Sequence, residues 1–496
     1  MAQSQVTHPP ANQTPDVAKT AGRGTIYITL AKLWFIISGY GIEFTLPRLL
    51  TKENFGLYKV VIGAISIINA VIVTGTQQTV SKYISQDESK ADSVKFQALK
   101  LQLLVGGVAA LGFFLLSPLI ADYLNDERLT DYLRIASLIT LSYAFYAVFI
   151  GYFNGQKKFL TQAALDMAYS TFKFAFIVLL VIFGLGVAGG VGGFALAAAS
   201  VLALSAVVAG RGTRFGEVQT SELFKFQTYL LLFTLVLNLL QKVDLMLVKA
   251  LSSDDVTIAS RNAADYGAAI NIANITYQII ISVTFVIFPL ISAASFVDDR
   301  EKTRKYIGNT LRYSLMIMLL TATLFSANAR EVLFVLYPSE YQPGAGALMV
   351  VAFGMLFFGL LYILTTIISA SGNPKISLAI GILALGISAV LNYFLIPAYG
   401  LTAAGVATTI AMLSGVIAGS IYLFTKFKTL MPITSIIRLT GCAAAVYALS
   451  MVYSPASKIL ILVKLAILGL IYLAALLLSR EVGREEVVLI KQVLKK

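Results

Sequence analysis

Residues Gly24 to Leu50 read GTIYITLAKLWFIISGYGIEFTLPRLL, a run long and apolar enough to cross a bilayer, since about 20 residues at 1.5 Å rise cover the roughly 30 Å hydrocarbon core. Lys32 and Glu43 stand inside it. A charge at the centre of a span costs about 2.5 to 3.5 kcal/mol on insertion scales, so such side chains turn toward a bundle interior or a water-filled cavity. Almost three helical turns separate the two, which puts them on one face, with Thr25, Thr29 and Gly39 near the same stripe. The stretch reads as one wall of a polar chamber inside a membrane protein.

The rest of the chain supplies the environment that such a wall needs. Its 496 residues are 58% hydrophobic and 13% charged, where soluble domains run near 25% charged. Fourteen spans are predicted, at roughly 24–46, 57–79, 97–117, 132–153, 162–184, 190–210, 224–248, 266–290, 308–328, 345–368, 376–396, 401–424, 436–453 and 458–479. The expected fold is therefore an all-α integral membrane protein, with connectors too short to hold an extramembrane domain. The first 23 residues, with Pro9, Pro10 and Pro15, lack the apolar core of a signal peptide and read as a disordered tail in which His8 is solvated. Cys442 lies in an apolar run and excludes any disulfide framework.

The net charge of +13 does not point to nucleic acid, because the basic residues sit in short connectors between apolar runs. About two thirds of the 38 Lys and Arg fall on one side when connectors are assigned alternately, which places both termini in the cytoplasm. The surplus also suits the anionic headgroups of the bilayer.

The chain repeats itself. Gly155-Gln156-Lys157-Lys158 is echoed by Gly372-Asn373-Pro374-Lys375, Gly184-Leu185 by Gly400-Leu401, and Asn54-Phe55-Gly56 by Asp265-Tyr266-Gly267. Two pseudo-symmetric six-helix lobes follow, at 24–215 and 220–430, with two further helices at 436–480 and a C-terminal tail at 481–496. An even number of spans per half gives both halves the same topology, the parallel-repeat plan of alternating-access transporters.

Charged and amide side chains within the spans mark the candidate site. Lys32, Lys173 and Lys242 are ammonium groups on three different spans, with Asp166 two turns before Lys173 and Asp244 beside Lys242. They serve either as structural ion pairs, Asp166 with Lys173 and Asp244 with Lys242, or as a cationic cavity around a phosphate-bearing substrate. Span 8 sets Asn271, Asn274, Gln278 and Ser282 on one stripe; span 7 does the same with Thr234, Asn238 and Gln241; span 2 offers Asn69, Thr76 and Gln77. Singly, such amides hold helices together; collectively with Glu43 they suit a sugar-bearing ligand. Gly184-Leu185-Gly186-Val187-Ala188-Gly189 matches a dinucleotide fingerprint only in letters, since its glycines link two spans and no acid follows until Glu217. Gly189, Gly190, Gly192 and Gly193 serve close helix packing instead. No embedded His, HExxH, Gly-x-Ser-x-Gly or P-loop is present, so no enzyme activity and no ATP hydrolysis are expected.

Four segments in this order resemble the polysaccharide transporter branch, that of the O-antigen flippases, of the multidrug/oligosaccharidyl-lipid/polysaccharide (MOP) exporter superfamily. They are Leu50-Thr51-Lys52-Glu53-Asn54-Phe55-Gly56-Leu57-Tyr58, Phe153-Asn154-Gly155-Gln156-Lys157-Lys158, Asp244-Leu245-Met246-Leu247 and Ser371-Gly372-Asn373-Pro374-Lys375. The resemblance covers about residues 24 to 480. It implies a bacterial inner-membrane flippase that moves a polyprenyl-pyrophosphate-linked glycan outward, with a cavity lined by helices 1, 2, 7 and 8 and with a glycan polymerase or glycosyltransferases as candidate partners. Lipid II flippases of the superfamily carry arginines early in their first helix, where this chain has Lys32 and no Arg between Gly24 and Pro47, which argues against peptidoglycan precursor. Relatives that bind Na⁺ do so through residues matched here by Asp244, Asn392 and either Thr408 or Thr409, so Na⁺ or H⁺ is the expected coupling ion and no other cofactor is implied. A cation-coupled drug antiporter of the same superfamily is the alternative; it favours acidic cavity residues, whereas Lys32, Glu43, Asp166 and Lys173 are balanced. A glycan polymerase or ligase would need a large external loop with catalytic side chains, and the connectors around Asp122–Asp131 and Ser252–Asp265 are short and lack His.

Overall fold

The computed structural model describes residues 14–212, 220–296 and 300–481, and among them it contains α-helices, short 3-10 and π turns and no strand. The helices are α1 (Thr14–Leu49), α2 (Lys52–Gln86), α3 (Ala91–Tyr123), α4 (Leu129–Gly155), α5 (Phe159–Leu180), α6 (Gly186–Ala209) and α7 (Thr220–Leu251). They continue with α8 (Val256–Phe296), α9 (Arg300–Ala327), α10 (Ala329–Leu336), α11 (Ala345–Ala370), α12 (Pro374–Phe427), α13 (Ile433–Ser450) and α14 (Lys458–Leu478). Nine helical stretches among the described residues have the length and apolar composition of a membrane span, and two of them, Phe159–Ala209 and Pro374–Phe427, are long enough to cross twice. The chain is a multi-pass, all-α membrane protein, and each predicted span coincides with a helix, running past its end by at most four residues.

Several helices outrun their predicted spans. Helix α1 starts at Thr14, inside the predicted N-terminal tail; the rest of that tail and nearly all of the C-terminal one lie outside the described residues. Helix α8 begins at Val256, ten residues before its apolar run, with Asp255 accepting from the backbone N–H groups of Thr257 and Ile258 as an N-cap does. The eight-residue α10 and the 3-10 turn Ser339–Gly344 fill what hydropathy shows only as a connector.

The repeat has a backbone counterpart. Both α5–α6 and α12 reverse at glycines with positive φ, Gly184 at 86° and Gly186 at 51° in the first and Gly400 at 69° in the second, conformations that glycine adopts without strain. Each reversal makes a close hairpin: a Cβ on Gly193 would lie 2.7 Å from the Ile177 backbone, and one on Gly415 would lie 3.4 Å from Ala384. Of the glycines after Leu185, Gly189 and Gly193 thus serve close packing, whereas a Cβ on Gly192 would meet nothing within 4 Å.

The helices gather into two compact units. The first draws on the chain up to Ile42, Val71–Phe114 and Ile135–Leu231; the second on Glu43–Ala70, Leu115–Arg134 and the chain from Leu232 onward. In the second, α11 is the central helix, packed on α8, α9 and α12, with α13 against α9 and α14. The segment from Leu50 to Tyr58 is part of this core. Phe55, Leu57 and Tyr58 are buried, and Gly56 admits α8 so closely that a Cβ there would lie 1.9 Å from the Ser260 carbonyl oxygen.

Candidate functional site

The second unit assembles a charged cluster around Lys59, a residue that the sequence places at a span edge. Its ammonium group donates to both carboxylate oxygens of Glu43 at 3.1 Å and to Asn271 Oδ1 at 2.8 Å. Asn271 in turn donates to Glu43 at 2.6 Å and contacts the Tyr337 hydroxyl at 3.2 Å. Lys242 lies within electrostatic reach of Lys59, Glu43 and Asp244. Three predicted site residues, Glu43, Lys242 and Asn271, are thereby brought together, joined by Lys59 and Tyr337. Asn274 and Gln278 continue the α8 stripe half-buried, Asn238 is half-buried and donates to the Thr234 carbonyl, and Asn69 is buried.

Further ion pairs fix the helix ends beside this cluster. Lys52 meets Asp265 at 2.8 Å and the Glu340 carbonyl at 2.7 Å, while Arg48 reaches the Leu336 carbonyl. In the α3–α4 connector, Asp126 is buried between Arg128 at 2.9 Å and Lys249 at 2.9 Å, and Arg128 also holds Glu53 at 2.6 Å. Burial opposes ionisation of Asp126, yet its bonds to Arg128 and Lys249 outweigh it and hold the carboxyl below the usual carboxylate range; the same bond raises the Arg128 guanidinium above its ordinary value. A depressed carboxylate gives stability that is complete above the unfolded value and is lost as pH falls through the folded one. Thermal melts of the purified protein should therefore show an acid-induced loss that Asp126→Asn removes; a variant with an unchanged acid limb would contradict the assignment.

Also in the second unit, Asp244 is fully buried and accepts from Tyr266 Oη at 2.8 Å, Thr408 Oγ1 at 3.1 Å and the Leu245 backbone N–H at 2.7 Å. The choice between threonines falls on Thr408, because Thr409 donates to the Gly405 and Val350 carbonyls instead. Asn392 is buried and donates to Ser388, and its Oδ1 has no hydrogen-bond partner. The Asp244 carboxylate with its two hydroxyl partners and, separately, the unused Asn392 amide oxygen are hard donors of the kind that Na⁺ prefers.

The first unit holds the other two lysines. Lys32 is exposed midway along α1 amid exposed Leu30, Leu33, Phe35 and Ile36, and it acts electrostatically on Asp166. Asp166 accepts from the Tyr146 hydroxyl at 2.8 Å, Tyr143 and Tyr169 share a hydrogen bond, and Trp34 donates to Thr171 at 3.0 Å. Lys173 is half-buried with its ammonium 4.0 Å above the Phe194 ring.

Comparison with known proteins agrees with this architecture. The sequence profile of a family described as polysaccharide biosynthesis protein matches residues 45–345. An uncharacterized membrane protein of Methanocaldococcus jannaschii is 22% identical over 391 residues, which is 72% of this chain and 75% of that protein. Among solved structures, the lipid II flippase MurJ in an inward closed conformation has a TM-score of 0.76 at 15% identity, covering 92% of this chain and all of that one. An outward-facing multidrug resistance MATE family transporter has a TM-score of 0.61 at 15% identity over 82% of this chain and 95% of that one. A MOP superfamily transporter from Pyrococcus furiosus, with 82% of this chain and 94% of that one covered, has 0.55 at 16% identity. At these identities the likeness shows the fold, and the family match carries the rest: the chain belongs to the polysaccharide biosynthesis protein family and has the fold of the multidrug/oligosaccharidyl-lipid/polysaccharide (MOP) superfamily.

Proposed function

We propose that the protein is a flippase for a polyprenyl-pyrophosphate-linked oligosaccharide, such as a polysaccharide or O-antigen repeat unit, in the bacterial inner membrane. The observation that carries this reading is Lys32, an exposed cation midway along the 36-residue α1 with exposed Leu30, Leu33, Phe35 and Ile36 around it. A cation in that position is costly unless it meets water or an anion; Asp166 supplies one such charge within the first unit, and the diphosphate of a lipid-linked glycan would supply a stronger one. Within the first unit Lys173 would add a second ammonium for the diphosphate; within the second, the amides Asn69, Asn238, Asn271, Asn274 and Gln278 would offer hydrogen bonds to sugars, while the polyprenyl tail stays in lipid. The two lobes rock in alternating access, with both termini cytoplasmic. Asp244, Thr408 and Asn392 are the residues that would hold a coupling Na⁺, whose gradient would supply the driving force. A polymerase or glycosyltransferases of the same glycan would be the partners.

In a strain whose own exporter is deleted, Lys32→Ala and Lys173→Ala are each expected to stop glycan export while the protein accumulates in the membrane at its normal level. Full export by both variants would refute the assignment. A drug antiporter, the competing reading, predicts changed resistance to cationic dyes on expression and unaltered glycan.

A further inference from the structure

Four helices end close together in the second unit: α9 at Ala327, α11 from Ala345, α13 at Ser450 and α14 from Lys458. All four belong to stretches long and apolar enough to cross the membrane, so their ends mark the level where the chain leaves the hydrocarbon. Between them, roofed by α10 and the Met451–Ser457 turn, opens a cavity of about 840 Å³, within the roughly 300 to 1,000 Å³ of ligand pockets. It lies level with these helix ends and belongs to none of the sites above.

Its lining divides by chemistry. Phe334, Met349, Met451 and Ile461 give an apolar floor, while Arg330 and Gln342 give donors above it. Helix α10 buries Ala329, Val332 and Leu333, and that leaves Arg330 exposed at the cavity. The charges around it do not cancel. Glu331 is matched by Lys464 at 3.4 Å, whereas Lys458, stacked 5.1 Å over Phe334, adds to the positive charge of Arg330. The Arg330 guanidinium itself joins none of the ion pairs among the described residues, although Glu331 is its neighbour in sequence. A planar cation over an apolar floor fits a phosphate that carries hydrocarbon, since the fork of N–H donors matches phosphate oxygens. The adjoining face of α14 is lipid-like, with Ile459, Leu460, Leu462 and Val463 all exposed.

We propose that this cavity binds the headgroup of an anionic glycerophospholipid, with Arg330 on the phosphate and the acyl chains descending along α14. A bulk phospholipid is the occupant because the cavity is bordered by the appended helices α13 and α14, whose exposed apolar side chains meet the bilayer.

The test is native mass spectrometry of the purified full chain titrated with phosphatidylglycerol, with phosphatidylcholine, decaprenyl phosphate and inorganic phosphate as separate competitors. The wild type should retain phosphatidylglycerol in preference to phosphatidylcholine. Arg330→Ala should weaken that retention about tenfold, Arg330→Lys should restore part of it, and Ser454→Trp, which obstructs the cavity without removing charge, should weaken it likewise. Inorganic phosphate in millimolar excess should not displace the lipid. Equal retention by Arg330→Ala and the wild type, displacement by inorganic phosphate alone, or tighter binding of decaprenyl phosphate than of phosphatidylglycerol would each overturn the proposal. Glycan export by Arg330→Ala is read separately, so failure here leaves the flippase reading to its own test.

Discussion

Lys59→Ala is expected to destabilise the protein by about 3 kcal/mol and to abolish glycan export. Lys59 is 7% exposed and its ammonium group bridges Glu43 and Asn271, so truncation leaves a mostly buried carboxylate with only the Asn271 amide and the more distant Lys242. Removing one partner of a buried pair costs about 3 to 5 kcal/mol because the survivor keeps its desolvation penalty. The Glu43 side chain retains 21% exposure, which sets the expectation at the low end. Removing both charges has a different outcome: Glu43→Gln with Lys59→Met should regain most of the lost stability, since no ion remains unpaired. Export should stay lost in the double variant if these charges act in transport. Melting curves in detergent together with an export assay check both statements, and a Lys59→Ala protein that melts like the wild type would rule out the cluster as a structural lock.

Asp244→Ala should produce the second large effect. Its carboxyl is the acceptor for the Tyr266 and Thr408 hydroxyls, and its loss strands two buried donors at about 1 to 3 kcal/mol each. Asp244→Asn keeps an acceptor oxygen and most of that stability, which makes it the sharper probe of function. If Asp244, Thr408 and Asn392 hold Na⁺, the wild type should melt higher in sodium chloride than in potassium chloride of equal strength. Both variants should lose that difference and the export that depends on it. An Asn variant that exports glycan normally with an undiminished sodium response would exclude Asp244 from ion coupling.

These two residues also show what was and was not legible in the chain. Asp244 stands out because an acid inside an apolar run has no ordinary explanation, and the same holds for Lys32, Glu43 and Lys242. The helices follow from hydropathy alone, since a bilayer requires each segment to satisfy its own backbone. Lys59 escaped notice because it lies about two turns beyond Lys52 and Glu53, where a cation reads as part of a wet connector. Its burial is decided by Asn271, 212 residues away, and by the closeness of α2 to α8 that Gly56 permits, neither of which has a local periodicity. The trace that was available is the repeat itself: Asn54-Phe55-Gly56 and Asp265-Tyr266-Gly267 bracket this contact, with the Gly267 position facing the Lys59 side chain. Tyr266 and Tyr337 were missed for another reason, that in an aromatic-rich membrane chain a tyrosine gives no sign that its hydroxyl serves a polar partner. Helix α10, which frames the headgroup cavity, was hidden by its shortness.

The tight glycine reversals at Gly184–Gly186 and Gly400 bear on how the sidedness of this chain can be established. A sidedness map built from inserted epitopes or protease sites needs slack backbone, and these two bends have little: each turns on positive-φ glycine between helical segments that pack on one another farther along. Insertions there would pry a hairpin apart and report misfolding as though it were inaccessibility. The connector at Ser252–Asp255, with its exposed Asp254 and Asp255, is a sounder place to put a reporter.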